Sequence, residues 1–506
     1  MSKPSKITNL SPRQPVIAVL GHVDHGKSSL LDYIRKSNTV DGEAGGITQR
    51  ISAYEVEVTI DKKTKRRVTF LDTPGHAAFQ SMRERGVEIA DIAILMVSAE
   101  DGVKAQTLEA WKTIDARKLP YIVAINKIDK PGADIQKTKN SLVEHAIYIE
   151  GYGGDIPCVE ISAKTGQGVD FLLETLIILT DMHDLTCSLS NNATGSVLES
   201  FVDSKRGISA TLVIKDGTLP ASGAIVCGTA LSPIRIIEDF TGKVIREPKA
   251  GQPILVTGFD EIPSAGTIFV SSSDKKEMEK LVTESRYNKV KEVLDPRIYR
   301  NAKVVIPVVV KADSLGTLDA VVSDLKKRET KDIKIKIVAK GIGPLTEGDV
   351  MLASSDKASV IVTFAVKEER KSLDQVERFG FTVHAFDVIY KLTEWFDTIV
   401  EERMPYEEVE EVLGKLTVIK TFSVQKDNHV IGGKVTDGKM VLGANIKIER
   451  RGFELGKGKV TELQSQKIKT KEVLAGTECG LMIDSKTEMI PGDIITAVVI
   501  IKKKFA

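Results

Sequence analysis

One stretch constrains this chain more than any other: Gly21-His22-Val23-Asp24-His25-Gly26-Lys27-Ser28. Two glycines bracket four residues, then a lysine and a hydroxyl follow. The apolar run Val16-Ile17-Ala18-Val19-Leu20 precedes it, and the helical pattern Ser29-Leu30-Leu31-Asp32-Tyr33-Ile34 comes after. Strand, loop and helix in that order are the context a phosphate-binding loop needs. The glycines let backbone N–H groups wrap a β-phosphate, Lys27 neutralises β/γ oxygens, and the Ser28 hydroxyl can ligate Mg²⁺. His22 and His25, inside the loop, read as shape and packing residues.

The chain has 506 residues, room for three or four domains. It is 42% hydrophobic and 28% charged, an ordinary globular balance, and no apolar run approaches the length of a membrane span. Residues 1–14 are polar, carry prolines and lack an apolar signal core, so they are expected to be a disordered lead. Cys158, Cys187, Cys227 and Cys479 show no CxxC spacing, which fits a reducing cytoplasm better than a metal cluster or disulfide framework. With a net charge of only +1, any nucleic-acid contact must come from local patches.

From Val16 the pattern alternates strands and helices, predicting a parallel sheet covered on both faces over 15–185. Buried strands are expected at 16–20, 68–71, 92–97, 121–125 and 158–161, with an edge strand at 54–60. Lys62-Lys63-Thr64-Lys65-Arg66-Arg67 reads as the hairpin turn after that edge, either solvated or touching RNA. Three further motifs end strands. In Asp72-Thr73-Pro74-Gly75-His76, Asp72 can hold Mg²⁺ through water and the Gly75 N–H can bond a γ-phosphate. In Asn126-Lys127-Ile128-Asp129, a carboxylate can accept from both N1–H and the 2-amino group of guanine, a pair adenine lacks. Ser162-Ala163-Lys164 can donate a backbone N–H to the guanine oxygen. His76 lies one residue past the γ-phosphate contact, where it either orients a water or caps the next helix.

The spelling of the first two motifs resembles the translational GTPases. Glu43-Ala44-Gly45-Gly46-Ile47-Thr48-Gln49, His76-Ala77-Ala78-Phe79, Ala99-Glu100-Asp101-Gly102-Val103 and Gln106-Thr107 are similar to the bacterial translation initiation factor 2 family, in a form without its long N-terminal region. The resemblance runs from about Pro15 to the C-terminus. It implies a ribosome-stimulated GTPase that uses GTP and Mg²⁺. Thr48 would be a switch ligand to the metal and γ-phosphate, His76 would position the attacking water, and Val23 and Ile47 would form an apolar gate. Arg50 stands where the family usually has histidine. The implied partners are both ribosomal subunits, formylmethionyl initiator transfer RNA and other initiation factors, with no membrane and a monomeric chain. The alternative is another translational or ribosome-assembly GTPase without an initiator role.

The expected fold class is multidomain α/β and β. After the P-loop GTPase domain, 190–271 is rich in short strands and glycine turns and reads as a β-barrel. A helical linker at 272–300 leads to a small α/β/α parallel-sheet domain at 301–386, in which Gly341-Ile342-Gly343 is read as a turn. A long connecting helix and an acidic linker fill 387–412, with an apolar stripe at Val388, Ile389, Leu392, Phe396, Ile399 and Val400. A C-terminal β-barrel is expected over 413–506, with turns at 427–428, 432–433, 437–438 and 456–458. That stretch holds 17 Lys and Arg against 10 Asp and Glu, a net +7, from either a nucleic-acid face or soluble lysines. By resemblance this barrel grips the acceptor end of initiator transfer RNA, with Glu478-Cys479-Gly480 as its aminoacyl-pocket motif. The family's basic-basic-aromatic triplet is replaced by Gln464-Ser465-Gln466, with Lys467, Lys469 and Lys471 downstream.

Overall fold

Val16–Gly21 is buried at every position, and the alternation of a strand divides its side chains between two cores. Ile17 and Val19 pack with Leu30, Leu31, Leu172 and Leu176, while Ala18 and Leu20 pack with Val87, Ala110 and Ile114. The computed structural model describes all residues except 1–9, 37–46, 61–63, 204, 221, 289–301, 368–369, 405, 426, 467 and 505–506. Glu43, Ala44, Gly45, Gly46, Lys62, Lys63 and Lys467 therefore lie outside the described residues, as do parts of the expected lead and linker. The chain divides into two compact units, Met1–Ile399 and Val400–Ala506.

The first unit opens with β1 (Leu10–Pro12), β2 (Val16–Gly21), β3 (Ser52–Ile60), β4 (Thr64–Asp72), β5 (Ile92–Ser98), β6 (Tyr121–Asn126) and β7 (Cys158–Glu160). Six of these form one sheet in the order β3-β4-β2-β5-β6-β7, parallel throughout except for the β3–β4 hairpin. Its helices are α1 (Lys27–Arg35), α2 (Gln80–Ile89), α3 (Ala105–Ala116), α4 (Ile135–Glu144) and α5 (Val169–Met182). Two expectations change here. The lead is ordered from Leu10: β1 pairs with β8 (Thr186–Ser188), and Arg13 makes a two-pronged ion pair of 2.7 Å with half-buried Asp91. The basic cluster is strand rather than turn from Thr64 onward, because Lys65 and Arg67 pair across the hairpin with Glu57 and Glu55 and Arg66 reaches Asp181.

Seven antiparallel strands follow: β9 (Thr194–Asp203), β10 (Gly207–Asp216), β11 (Ala224–Cys227), β12 (Ala230–Pro233), β13 (Ile237–Glu238), β14 (Pro253–Thr257) and β15 (Ile268–Ser272). They enclose a core that includes Val197, Leu212, Ile225, Ile254 and Phe269. The expected helical linker holds α6 (Lys275–Asn288), whose Met278 and Val282 pack on Ala224 and Val226 of the barrel.

A second parallel sheet has the order β17-β16-β18-β19, from β16 (Val304–Ala312), β17 (Ile333–Ile342), β18 (Val360–Phe364) and β19 (Val383–Phe386). Its helices are α7 (Leu315–Lys326), α8 (Glu347–Ser354), α9 (Arg370–Arg378) and α10 (Ile389–Arg403). Gly341 belongs to β17, so the turn begins only at Gly343. The start of α7 presses closely on the first domain and the barrel: the Gly316 N–H donates to Glu199 at 3.0 Å, and a Cβ at Gly316 would lie 2.6 Å from Met82 Cε.

The second unit is a closed antiparallel barrel. Its strands are β20 (Tyr406–Gln425), β21 (Asn428–Val441), β22 (Asn445–Arg450), β23 (Phe453–Ser465), β24 (Ile468–Lys469), β25 (Glu472–Leu474), β26 (Glu478–Asp484) and β27 (Ile494–Lys504). The ring runs β20-β27-β22-β23-β26-β21 and returns to β20. The acidic linker is thus the first third of β20, and Tyr406 to Val412 pair with β27. Counting from Tyr406 adds four glutamates, so the barrel holds 17 basic against 14 acidic residues and a net charge of +3 rather than +7. The glycines at 432–433, 437–438 and 456–458 lie inside β21 and β23, not in turns. At Gly433 the reason is steric, since a Cβ would sit 2.4 Å from Leu416 Cδ2 inside the barrel wall.

Candidate nucleotide site

The loop after β2 takes its shape from two glycines. Gly21 has φ +148°, and a Cβ there would meet the Met96 carbonyl at 2.5 Å; Gly26, at φ +87°, has the Asn126 amide 2.2 Å from where its Cβ would be. Lys27 is buried below the loop, and its ammonium donates to the His22 carbonyl at 2.7 Å. Burial pulls its pKa down to about 8, against the opposing pull of Asp72. His25 is fully buried with Nδ1 3.3 Å from the Met96 carbonyl, and desolvation pulls its pKa down to about 4. It packs the loop from beneath and does not line the cleft.

Across the cleft, Ser28 Oγ and Thr48 Oγ1 lie 2.7 Å apart. With the buried carboxylate of Asp72 at the end of β4, they form an oxygen-only donor set that suits Mg²⁺. Gly75 closes onto the phosphate loop: a Cβ there would lie 2.6 Å from Lys27 Nζ and 3.0 Å from the Val23 nitrogen. The loop that carries Gly75 is wrapped around the buried guanidinium of Arg83. Arg83 Nη1 donates to the carbonyls of Pro74, Gly75 and His76 at 3.3, 3.2 and 2.5 Å, and Nη2 donates to Glu109 at 3.0 Å.

His76 lines the cleft together with Val23 and Ile47. It also caps the short helix Ala77–Phe79, accepting the Ala78 N–H on Nδ1 at 3.1 Å. A neutral ring that accepts on Nδ1 carries its proton on Nε2. Burial lowers its pKa. Two further rings hold it edge-on, Phe79 at 6.2 Å and Tyr390 at 4.4 Å between centroids.

At the opposite end, Asn126 bridges two loops. Its amide donates to the His25 carbonyl at 2.8 Å and its oxygen accepts the Ala163 N–H at 2.9 Å. Exposed Asp129 accepts from Ser162 Oγ at 2.7 Å, which holds its carboxyl below the usual range. Lys127 lines the cleft in a left-handed conformation, with Nζ 3.7 Å from Glu100. The whole cleft is about 320 Å³. It brings Lys27, Ser28, Thr48, Gly75, His76, Asp129 and Lys164 to one surface. Gly21, His22, Asp72, Thr73, Pro74 and Ser162 are not part of that lining, and Ile128 packs against the sheet's core.

Sequence reasoning missed several positioning residues. Gln106 accepts the Val23 N–H at 3.0 Å. Gln49 binds both edges of the α10 start, donating to the Asp387 carbonyl at 2.8 Å and accepting the Ile389 N–H at 3.1 Å. Arg50, the family departure, forms an ion pair with Asp313 in the loop before α7. Only Gln106 and Gln49 carried any signal, as letters of family-like stretches.

Residues 13–181 match the elongation factor Tu GTP binding domain, 192–272 match elongation factor G domain 2, and 279–397 match translation-initiation factor 2. Translation initiation factor IF-2 of Bacillus licheniformis is 36% identical over 508 residues, covering 98% of this chain and 70% of that relative. The chain belongs to the translation initiation factor 2 family. The IF-2 of a Nitratiruptor species is 39% identical over 500 residues, covering 96% of this chain and 59% of the relative. Against the IF-2 of Desulforamulus reducens the chain spans 50% of the relative's length. Among solved structures, GDP-bound aIF5B from Aeropyrum pernix matches with a TM-score of 0.50 and 25% identity, covering 96% of this chain and 92% of that one. This is the translational GTPase fold.

The barrel unit holds a second pocket, of about 580 Å³. Glu478, Cys479 and Gly480 line it, on β26 where it pairs with Gly432–Lys434 of β21. Cys479 is buried, and desolvation raises its thiol pKa to about 11, the profile of a wall and not of a reactive thiol. Gln464 and Gln466 line the same pocket. So do Lys420 and Phe422, with the ammonium 5.4 Å from the ring centroid. Among the described residues no helix is long and apolar enough to cross a membrane.

Proposed function

We propose that this chain hydrolyses GTP to GDP and phosphate as a cytoplasmic translation initiation factor, completing its catalytic site on the ribosome. One observation carries the reading: a single cleft has Lys27, Ser28, Thr48, Gly75 and His76 at one end and Asp129 at the other. The loop N–H groups and Lys27 bind the phosphates. The Asp129 carboxylate accepts from N1–H and the 2-amino group of guanine, and adenine would leave it unpaired. Ser28 and Thr48, with Asp72 through water, would hold Mg²⁺, which neutralises charge on the β and γ oxygens. His76, whose Nδ1 accepts from Ala78 in this arrangement, turns on the ribosome to orient water in line with the γ-phosphate. Water attacks phosphorus, the bond to the β-phosphate oxygen breaks, and the water's proton ends on the released phosphate. In the barrel, the Glu478-Cys479-Gly480 pocket takes the formylated methionine of initiator transfer RNA. The partners are both ribosomal subunits and other initiation factors.

The test is phosphate release by the full chain, with GTP or ATP, with and without ribosomal subunits and formylmethionyl-transfer RNA. Ribosomes should stimulate GTP turnover by about 100-fold or more, ATP should not be used, and His76→Ala should keep GTP binding and lose the stimulation. Equal use of ATP, or turnover indifferent to ribosomes and to His76, overturns the reading. The barrel charge of only +3 and the two glutamines in its pocket favour a second reading, a ribosome-associated GTPase without an initiator role. Ribosomal stimulation indifferent to formylmethionyl-transfer RNA would select that one.

A further inference from the structure

The ring that closes over His76 comes from neither its own loop nor its own domain. Tyr390 is the second residue of α10, and its ring stands at 80° to the imidazole with centroids 4.4 Å apart. Burial and the charge of Asp24, in the phosphate loop, both raise its phenol pKa. Tyr390 thus stands against His76 with the charge of Asp24 nearby. The start of α10 is held there by Gln49, which takes one N–H and one carbonyl of that first turn. Gln49 follows Thr48, whose hydroxyl meets Ser28. One helix end is therefore fastened to both segments that would sense a γ-phosphate. The half-buried imidazole is flanked by Phe79 and Tyr390, and leaving its present rotamer would break the Ala78 hydrogen bond and part the ring from Tyr390.

We propose that Tyr390 is a positioning residue acting as a latch: its ring holds His76 in the capping rotamer and restrains GTP hydrolysis until α10 moves away. The proposal rests on the GTPase reading above. It adds that the brake is a side-chain contact delivered from α10, not only an incomplete catalytic site. Gln49 makes the latch responsive, since any shift of Thr48 on nucleotide or Mg²⁺ exchange pulls on the helix that carries Tyr390. Shape does this work rather than charge, because a phenyl ring in the same place would block the same rotation.

The experiment compares wild type, Tyr390→Leu and Tyr390→Phe as full chains. It measures ribosome-free GTP hydrolysis, GTP affinity, and titration of the His76 imidazole by NMR. Tyr390→Leu should raise basal hydrolysis about threefold to tenfold. It should leave GTP affinity within about twofold, and raise the His76 pKa toward its ordinary value as burial is relieved. Tyr390→Phe keeps the ring and should restore the wild-type rate and titration. A Gln49→Ala chain should move the rate in the same direction as Tyr390→Leu, a check that does not touch the ring. If wild type hydrolyses GTP while Tyr390→Leu leaves the rate unchanged or lowers it, the latch is overturned and the GTPase reading stands. A wild type that hydrolyses no GTP even with ribosomes overturns the GTPase reading and the latch with it.

Discussion

Asn126 Nδ2 donates to the His25 carbonyl at 2.8 Å, joining the end of β6 to the floor of the phosphate loop. The same side chain receives the Ala163 N–H, so one buried amide ties the end of β6 to two loops of the cleft. Asn126 therefore holds the loop shape that Gly26 makes possible. Asn126→Ala leaves the His25 carbonyl and the Ala163 N–H unpaired, at a cost of about 1–3 kcal/mol. GTP and GDP affinity should both fall, by roughly 10- to 100-fold, with the circular dichroism spectrum unchanged. Titration calorimetry with the two nucleotides checks it. A loss confined to one of them would mean that Asn126 touches the γ-phosphate side and not the shared frame.

Asp129 has one carboxylate oxygen engaged by Ser162 at 2.7 Å and is otherwise exposed. The Ser162 hydroxyl orients the carboxylate and keeps it ionised. Asp129→Asn replaces an acceptor by a donor where guanine presents two donors. Affinity for GTP should fall by at least about 100-fold, and xanthosine triphosphate, with a carbonyl in place of the 2-amino group, should become the better ligand. Competition between the two nucleotides reads the switch directly. Ser162→Ala should weaken GTP binding less, by about tenfold or under, without reversing the preference.

How much of this was legible from the chain follows from the range of each interaction. The runs at 16–20 and 92–97 read as buried strands because all their side chains are apolar and both sheet faces are covered. The β1–β8 pair and the short strands β12 and β13 escaped notice because strands of two to four residues leave no period to detect. Gly433 and Gly456 looked like turns since glycine marks turns locally; that Leu416 and Thr487 crowd them is known only once the barrel closes. The glutamates ahead of Gly414 read as a linker for a similar reason, as their partner strand β27 is almost the last of the chain. Within the cleft, motif residues stood out by spelling. Arg83 and Tyr390 did not, because their partner His76 meets them only in the folded chain.

Lys27 gives the cleft a definite pH response. Its ammonium is held at about 8 by burial in the free site, and a bound phosphate restores the higher value. The charged form that binds nucleotide is thus fully present below that pH and is lost as pH rises through it. GTP affinity should be flat from about pH 6.5 to 7.5 and then fall, by at most tenfold per pH unit. Binding in the upper range should take up a proton, visible as a dependence of the calorimetric enthalpy on the buffer's ionisation heat. A flat profile up to pH 9, with no proton uptake, would show that Lys27 keeps its charge by another contact.

The barrel's true start decides how its RNA interaction can be tested. β20 begins at Tyr406, and its residues up to Val412 pair with the last residues of β27. A fragment starting at 413 cuts this ladder and exposes the end of β27, whereas one starting at 404 keeps the ring closed. The shorter fragment should unfold about 10 °C lower, equivalent to about 2 kcal/mol for a domain of this size. The removed residues include four glutamates, so the shorter fragment is also artificially basic, at +7 against +3. It should bind any transfer RNA more tightly at low salt, and lose more of that affinity as salt rises. In the longer fragment, a preference for formylmethionyl- over deacylated transfer RNA that persists as salt increases belongs to the pocket around Cys479. Gly480→Val, which narrows that pocket, should abolish the preference while leaving the salt slope in place. Equal binding of both transfer RNAs by the longer fragment would leave only electrostatic attraction to the phosphate backbone.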